Sequence, residues 1–335
     1  MALRGRALAA LATGLILSVG TARAAEPVKI RTGWLVVPNM IFPLMPLKPE
    51  VLRHFGKSYT LDLIHFTGTP PQITALAAGE LDLSPLSFSA FALAVTNAKL
   101  TDLRILADGL QDGEEGWQTN AFLVLKDGPI NKVEDLKGQV LASNAFGGAV
   151  DIGLRVMLKK HGLEDKRDVT IIEVQVPNMK ATLAEKKAAL IAPLPPFTRD
   201  PELRQISRIL FTQRDALGVA QTIILVARSG FVAQNRAAMV DFLEDQLLFL
   251  RWLTDPAHHA EAVGLAASFN KVQPERLDWA FTHDDSYRDP AGLPAVAALQ
   301  SNLDMMRDLG FVKEKIEVGK YLDLSLVKEA AQRLH

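Results

Sequence analysis

Ser87 and Ser89, flanking Phe88, and Asn144, three residues ahead of the Gly147-Gly148 pair, are the polar positions of this sequence best suited to holding an anion. Each stands where a strand-like run gives way to a helix-like one. Hydroxyl, amide and backbone N–H donors there can converge on one group, with the positive ends of helix dipoles behind them. An oxyanion can be held this way without a buried arginine. The same residue types cap helices, so each can serve its own helix, a ligand, or both. Trp34, Phe88, Trp117 and Phe146 sit in or beside such junctions and offer ring faces to an apolar or aromatic ligand body, with packing of loop on core as the alternative. Gln118, Asn178 and Met179 are further candidates of the same kind.

Groupings that suggest an enzyme carry less. His258-His259 are adjacent on a helix-like run and point in different directions, which argues against a shared metal. His283-Asp284-Asp285 reads as a solvated loop and Glu114-Glu115 as decoration of an exposed crossing. There is no Gly-x-Ser-x-Gly, Walker loop, Gly-x-Gly-x-x-Gly or His-Glu-x-x-His, and no catalytic residue, metal or cofactor is expected. With 37 Lys+Arg against 38 Asp+Glu, nothing recommends nucleic acid or an anionic membrane as partner.

Such junctions are built by alternating strands and helices. Val28 to Trp34 alternates apolar and polar residues as a strand does and runs into the loop Val37-Pro38-Asn39. Leu61 to Phe66 reads as a second strand; Gly68-Thr69-Pro70-Pro71 then opens a helix bearing Ile73, Leu76 and Ala77, which Gly79 ends. Leu81 to Leu86 reads as a third strand, followed by a helix through Val95. After strand-like Leu103 to Ala107, the Gly- and acid-rich Asp108 to Gly116 reads as a crossing between domains. A second series follows: strands at Ala121 to Leu125, Val140 to Ala142, Val169 to Val176, Ala189 to Ala192 and Arg208 to Thr212, with a helix ending at Lys160. Gln221 to Arg228 is a last strand, and from Arg236 the pattern is almost entirely helical. This is the α/β class, two lobes each with a mainly parallel sheet flanked by helices. Ligands in such folds sit where strand ends face helix N-termini. The crossings near Gly113 to Thr119 and Asp215 to Ala220 divide the chain into lobe 1, residues 25–118 and 221–335, and lobe 2, residues 119–220.

The first residues read as an address. Arg4 and Arg6 precede an apolar run from Ala7 to Val19 that ends near Ala22-Arg23-Ala24, the pattern of a cleaved secretory signal over residues 1–24. Removing its three arginines takes the net charge from −1 to −4. The chain has no cysteine, hence no disulfide and no lipid-bearing cysteine at the cleavage site, so a free periplasmic protein held by a large apolar core is expected.

Several segments resemble, in order, the periplasmic binding proteins of ABC importers for nitrate, taurine, alkanesulfonates and thiamine precursors. Gly68-Thr69-Pro70-Pro71-Gln72-Ile73-Thr74-Ala75-Leu76-Ala77-Ala78-Gly79-Glu80-Leu81-Asp82-Leu83 is similar to that family's helix ending in Leu-x-x-Gly-Glu-hydrophobic-Asp. Val133-Glu134-Asp135-Leu136-Lys137-Gly138-Gln139-Val140 is similar to its Asp-Leu-Lys-Gly entry into the second lobe, and Leu225-Val226-Ala227-Arg228 and Tyr321-Leu322-Asp323-Leu324 also match. One departure is Glu185-Lys186-Lys187-Ala188-Ala189-Leu190, which lacks the usual Gly and Asp before its strand and leaves the wall Pro193 to Phe197 open.

The resemblance implies a type II periplasmic-binding-protein fold and a cleft formed by five loops. These carry Trp34, Pro38 and Asn39; Gly68 and Thr69; Ser87, Phe88 and Ser89; Trp117 and Gln118; and Asn144, Ala145, Phe146 and Gly147, with Asn178 alongside. It implies a monomer that closes on a small organic anion, a sulfonate or an aromatic or aliphatic carboxylate, and delivers it to a membrane permease. Enzymes on the same architecture are the rival class. Desulfinases of that kind work through a cysteine, and a thiamine-pyrimidine synthase needs a cysteine-rich loop; this sequence has neither. A ligand sensor docking on a receptor is a third reading.

Overall fold

The alternation along the chain closes into two five-stranded sheets in a computed structural model that describes residues 26–334; the expected signal lies outside them. The first sheet holds β1 (Val28–Trp34), β2 (Tyr59–His65), β3 (Leu83–Ser87) and β4 (Leu103–Asp112). The second holds β5 (Ala121–Leu125), β6 (Val140–Ser143), β7 (Thr170–Glu173), β8 (Leu190–Ile191) and β9 (Ser207–Thr212), after which β10 (Ala220–Arg228) returns to the first. The orders are β2-β1-β3-β10-β4 and β7-β6-β8-β5-β9. Pairing is parallel between β1 and β2, β1 and β3, β6 and β7, and β6 and β8. β10 and β5, each lying next to the third strand of its sheet, run antiparallel to both neighbours. The two sheets thus share one plan, in which the antiparallel strand is the one entering from a crossing.

β3 is buried along its whole length, as a strand with neighbours on both sides and helices above and below must be. It contains Pro85, which has no N–H to give a ladder. The pairing explains this: β1 meets β3 only at Thr32 and Leu83, so the strands have parted where Pro85 stands. The buried Gln72 side chain reaches this region, accepting from the Ser84 hydroxyl at 2.7 Å. That parting is the switch point of the sheet, the place where open α/β sheets bind ligands.

The two crossings touch. Gly113 has φ +83°, and a Cβ there would lie 2.6 Å from the Gly218 carbonyl oxygen, so only glycine fits. Asp112 fastens the first crossing by accepting from Thr119 Oγ1 at 2.5 Å and from the Asn120 N–H at 2.9 Å.

Three readings of the sequence need correction. Residues Asp108 to Asp112 belong to strand β4 rather than to a crossing, because buried donors satisfy their carboxylates: Gln221 Nε2 and the Asp289 N–H serve Asp108. The tail after Arg236 is helical over Arg236–Thr254, His259–Asn270, Val296–Asp308 and Ser325–Gln332, but the stretch between Asp278 and Ala295 is irregular. It packs on the first sheet through backbone bonds from Asp108 to Gly292 and from Gln111 to Tyr287. Finally, Asp285 is 0 % exposed rather than solvated. It accepts from the N–H groups of Phe281 and Ser286, with the Arg288 guanidinium 3.4 Å away. At the departure noted before β8, Lys186 takes φ +58°, the left-handed conformation that Gly79 supplies ahead of β3.

Candidate ligand-binding site

Three helices begin at one cavity between the sheets. They are α1 (Pro70–Ala77), α2 (Phe88–Thr96) and α3 (Ala149–Lys160), whose N-caps Thr69, Ser87 and Gly148 all line it. Its volume is about 60 Å³, room for several water-sized groups at about 10–15 Å³ each. The rest of its wall is Leu35, Val36, Asn39, Met40, Leu110, Asn120, Asn144, Ala145, Ala149, Val150, Leu194, Thr222 and Ile223. None of these side chains titrates, so the site's positive potential comes from helix ends and fixed dipoles.

The three helix ends contribute differently. Pro70 and Pro71 fill the first two positions of α1, which removes two of its free N–H groups and leaves mainly its dipole. At α2 the Ser87 hydroxyl oxygen accepts from the Ala90 N–H at 3.0 Å and from Thr69 Oγ1 at 2.8 Å, and lies 2.9 Å from Ser89 Oγ. That linked trio is buried and in place before any ligand arrives. At α3 the N-cap is a glycine with no side chain to cap anything. Asp151 in its first turn is answered by Arg155 Nε at 2.9 Å and also accepts from the Gly147 N–H at 2.8 Å, while burial pushes its carboxyl upward. Asn144 Oδ1 and Asn39 Oδ1 are buried without a partner among the described residues. The amides of both therefore have capacity to spare, and either end of each can be turned to the cavity.

A second chamber of about 350 Å³ adjoins the first, with Leu35, Val36 and Leu194 common to both walls. Its lining is mostly ring and aliphatic: Trp34, Phe66, Val176, Pro177, Phe197 and Phe269 among others. Trp34 meets the Phe269 ring edge-on at 5.4 Å and His65 at 4.5 Å.

Of the residues singled out in the sequence, Asn39, Thr69, Ser87, Asn144 and Ala145 meet at the inner cavity, and Trp34 lines the outer chamber. Ser89 backs Ser87, and Pro38 offers its carbonyl oxygen to Arg288 Nη2 at 3.0 Å. Gly68 faces Ala145 so closely that a Cβ on it would lie 2.5 Å from the alanine Cβ. The others are not brought to either cavity. Phe88 is 0 % exposed in the core, because the first residue of α2 turns its side chain away from the helix end. Phe146 is 45 % exposed, with the Arg155 guanidinium over its ring, and Gly147 packs toward Leu93. Trp117 packs against His283 with tilted rings and meets the Tyr287 ring edge-on. Gln118 is engaged at both ends of its amide, by Arg199 and by the Thr119 carbonyl oxygen. Asn178 is exposed, and Met179 is core. Asn144 does not cap α3, since Gly148 holds that position.

Asn120 and Thr222 line the inner cavity and carried no signal of chemistry in the sequence, while Leu194 there belongs to the wall Pro193 to Phe197 that the sequence left open. A usable hint was that Asn120 and Thr222 lie within two residues of the ends of the two crossings, which must pass the base of any cleft.

The fold is shared with proteins of known structure. The alkanesulfonate-binding protein SsuA from Xanthomonas axonopodis pv. citri, solved with MOPS bound, superposes with a TM-score of 0.72 at 18% identity, covering 90% of this chain and 100% of its own. The periplasmic nitrate-binding protein NrtA from Synechocystis PCC 6803 gives 0.73 at 15% identity, covering 93% of this chain and 90% of its own. The desulfurization enzyme DszB has the same fold, with a TM-score of 0.64 at 13% identity, covering 92% of this chain and 100% of its own. No curated protein sequence matches this one. No helix among the described residues is long and apolar enough to cross a membrane. Residues 23–267 match the family model described as the NMT1-like family, and the chain belongs to that family.

Proposed function

We propose that this chain is the periplasmic solute-binding component of an ABC importer, exported by its first 24 residues. It closes lobe 1 (25–118 and 221–335) and lobe 2 (119–220) around a small organic anion and presents it to a permease as a monomer. The observation that carries the reading is the convergence of three helix N-termini on a cavity without a titratable side chain. Such a site favours negative charge and offers no acid, base or nucleophile pair for turnover. The aromatic chamber beside it supports a sulfonate or carboxylate with an apolar or ring-bearing body.

Thermal shift and calorimetry across nitrate, ethanesulfonate, benzenesulfonate and benzoate, with benzamide and benzylamine as uncharged and cationic controls, test this. A ligand present at about 100 times its Kd adds about 2.7 kcal/mol to stability. The expected result is a rise in melting temperature with a ring-bearing anion and none with either control. No shift with any anion, or a larger one with benzylamine, defeats the proposal.

A further inference from the structure

The wall of the cleft continues into a residue that no candidate site includes. Leu194 lines the inner cavity, Pro196 and Phe197 line the outer chamber, and the short turn Phe197–Arg199 ends on Arg199. The Arg199 side chain is 13 % exposed. Its Nη2 donates to Gln118 Oε1 at 2.6 Å and to the Asp284 carbonyl oxygen, and the guanidinium lies 5.3 Å from the centre of the Trp279 ring. The Asp284 carboxylate is 3.9 Å away. Arg199 lies between β8 and β9 of the second sheet, whereas Trp279 and Asp284 belong to the irregular stretch that packs on the first.

Both ends of this link are tied to the cavity. On one side four residues separate Arg199 from Leu194. On the other, Asp284 adjoins the buried Asp285, which faces Arg288 at 3.4 Å, and Arg288 Nη2 donates to the carbonyl oxygens of Pro38 and Asn39 at 3.0 Å each. We infer that Arg199 is a positioning residue that straps the two lobes together across the cleft, holding the closed state and thereby setting how long a ligand stays. The chemistry suits that task. A guanidinium loses its water only when the cleft is shut, and then gains charge-assisted hydrogen bonds and a ring face. In the open state these contacts are absent and water solvates the group in their place, so what they gain over hydration biases the equilibrium toward the closed state. This inference rests on the two-lobe closure proposed above but not on the identity of the ligand.

Its test therefore needs no ligand. The chain has no cysteine, so Lys57→Cys and Glu185→Cys, both at exposed turn positions, one ahead of β2 and one ahead of β8, take a fluorophore pair that reports the closed-to-open ratio of the free protein. Arg199→Met is expected to lower that ratio about tenfold, the scale of one charge-assisted contact. Trp279→Leu is expected to act in the same direction, and the double variant to add little, because the two residues are one contact. Arg199→Lys should fall between, keeping the charge over the ring without the fork. Melting temperatures of the singles should stay near the parent's. An unchanged ratio in both singles, strictly additive effects, or free protein with no closed population overturns the inference. A panel in which no anion binds while the strap behaves as described would remove only the ligand reading.

Discussion

The two walls of the inner cavity come from sheets of identical strand order, yet they are finished differently. On the wall of the first sheet, Thr69, Ser87 and Ser89 already bond one another and the N-terminus of α2. On the wall of the second, α3 begins at a glycine cap and Asn144 Oδ1 has no partner among the described residues, a state that the first wall shows only at Asn39 Oδ1 in the loop after β1. A satisfied network is rigid, whereas a buried group left unpaired costs about 1–3 kcal/mol until something pairs with it. The contrast teaches how such a cleft can work. Under the proposed function, the Thr69–Ser87–Ser89 network is preorganised to receive a ligand, and the two asparagines gain most when one arrives.

The sharpest test of that contrast sets the aromatic residues at the two helix starts against each other. Phe88 is buried in the core behind the first wall, so Phe88→Ala should cost about 3–5 kcal/mol in denaturant unfolding. Next in size is an attack on closure itself. Gly68→Val pushes a side chain into Ala145 across the cleft, and affinity for whichever anion the panel selects should fall about 100-fold, or ~2.7 kcal/mol, while the free protein melts as before.

The first sheet also carries the acids that respond to pH. Burial raises the Asp108 carboxyl to about 7 and Asp112 to about 6. A carboxyl whose pKa is higher folded than unfolded adds stability at low pH and loses it as pH rises through the folded value. Melting temperature should therefore drop by several degrees between pH 5 and pH 8. Asp108→Asn should flatten most of that slope, whatever it does to the absolute value.

Smaller effects separate the walls again. Ser87→Ala removes a helix cap and, under the proposed function, a hydroxyl facing the ligand, and should cost about 1 kcal/mol of stability as well as affinity. Asn144→Ala should weaken binding about tenfold with little change in stability, since its Oδ1 makes no hydrogen bond among the described residues. If the stability loss fell on Asn144 instead, the assignment of the preorganised wall would be reversed. Phe146→Ala, half in solvent, should change stability by less than about 0.5 kcal/mol.

Much of the scaffold was legible in advance. β1 and β5 fall where the alternation of Val28 to Trp34 and the apolar run Ala121 to Leu125 place them, and α2 begins at Ser87 as a capping residue should. Five of the polar and small residues chosen from junctions do share a cavity. The aromatic residues were read less well, because a ring beside a junction can turn to core, cleft or solvent, and Phe88, Trp34 and Phe146 take one each. Periodicity also extended the helical tail across residues 278–295, where short turns and backbone bonds to β4 take the place of a helical ladder.

The sequence by itself determined the strands, the helix starts and the junctions between them, because hydrophobic period, caps and turn residues act over a few positions. Tertiary structure decided which of those junctions meet. It set Asn120 and Thr222 at the base of the cleft, gave Phe88 to the core, and brought Arg199 to Trp279 and Asp284. The Arg199–Asp284 pairing alone joins residues 85 positions apart, and such pairings depend on how whole sheets and their crossings pack, which no local pattern encodes.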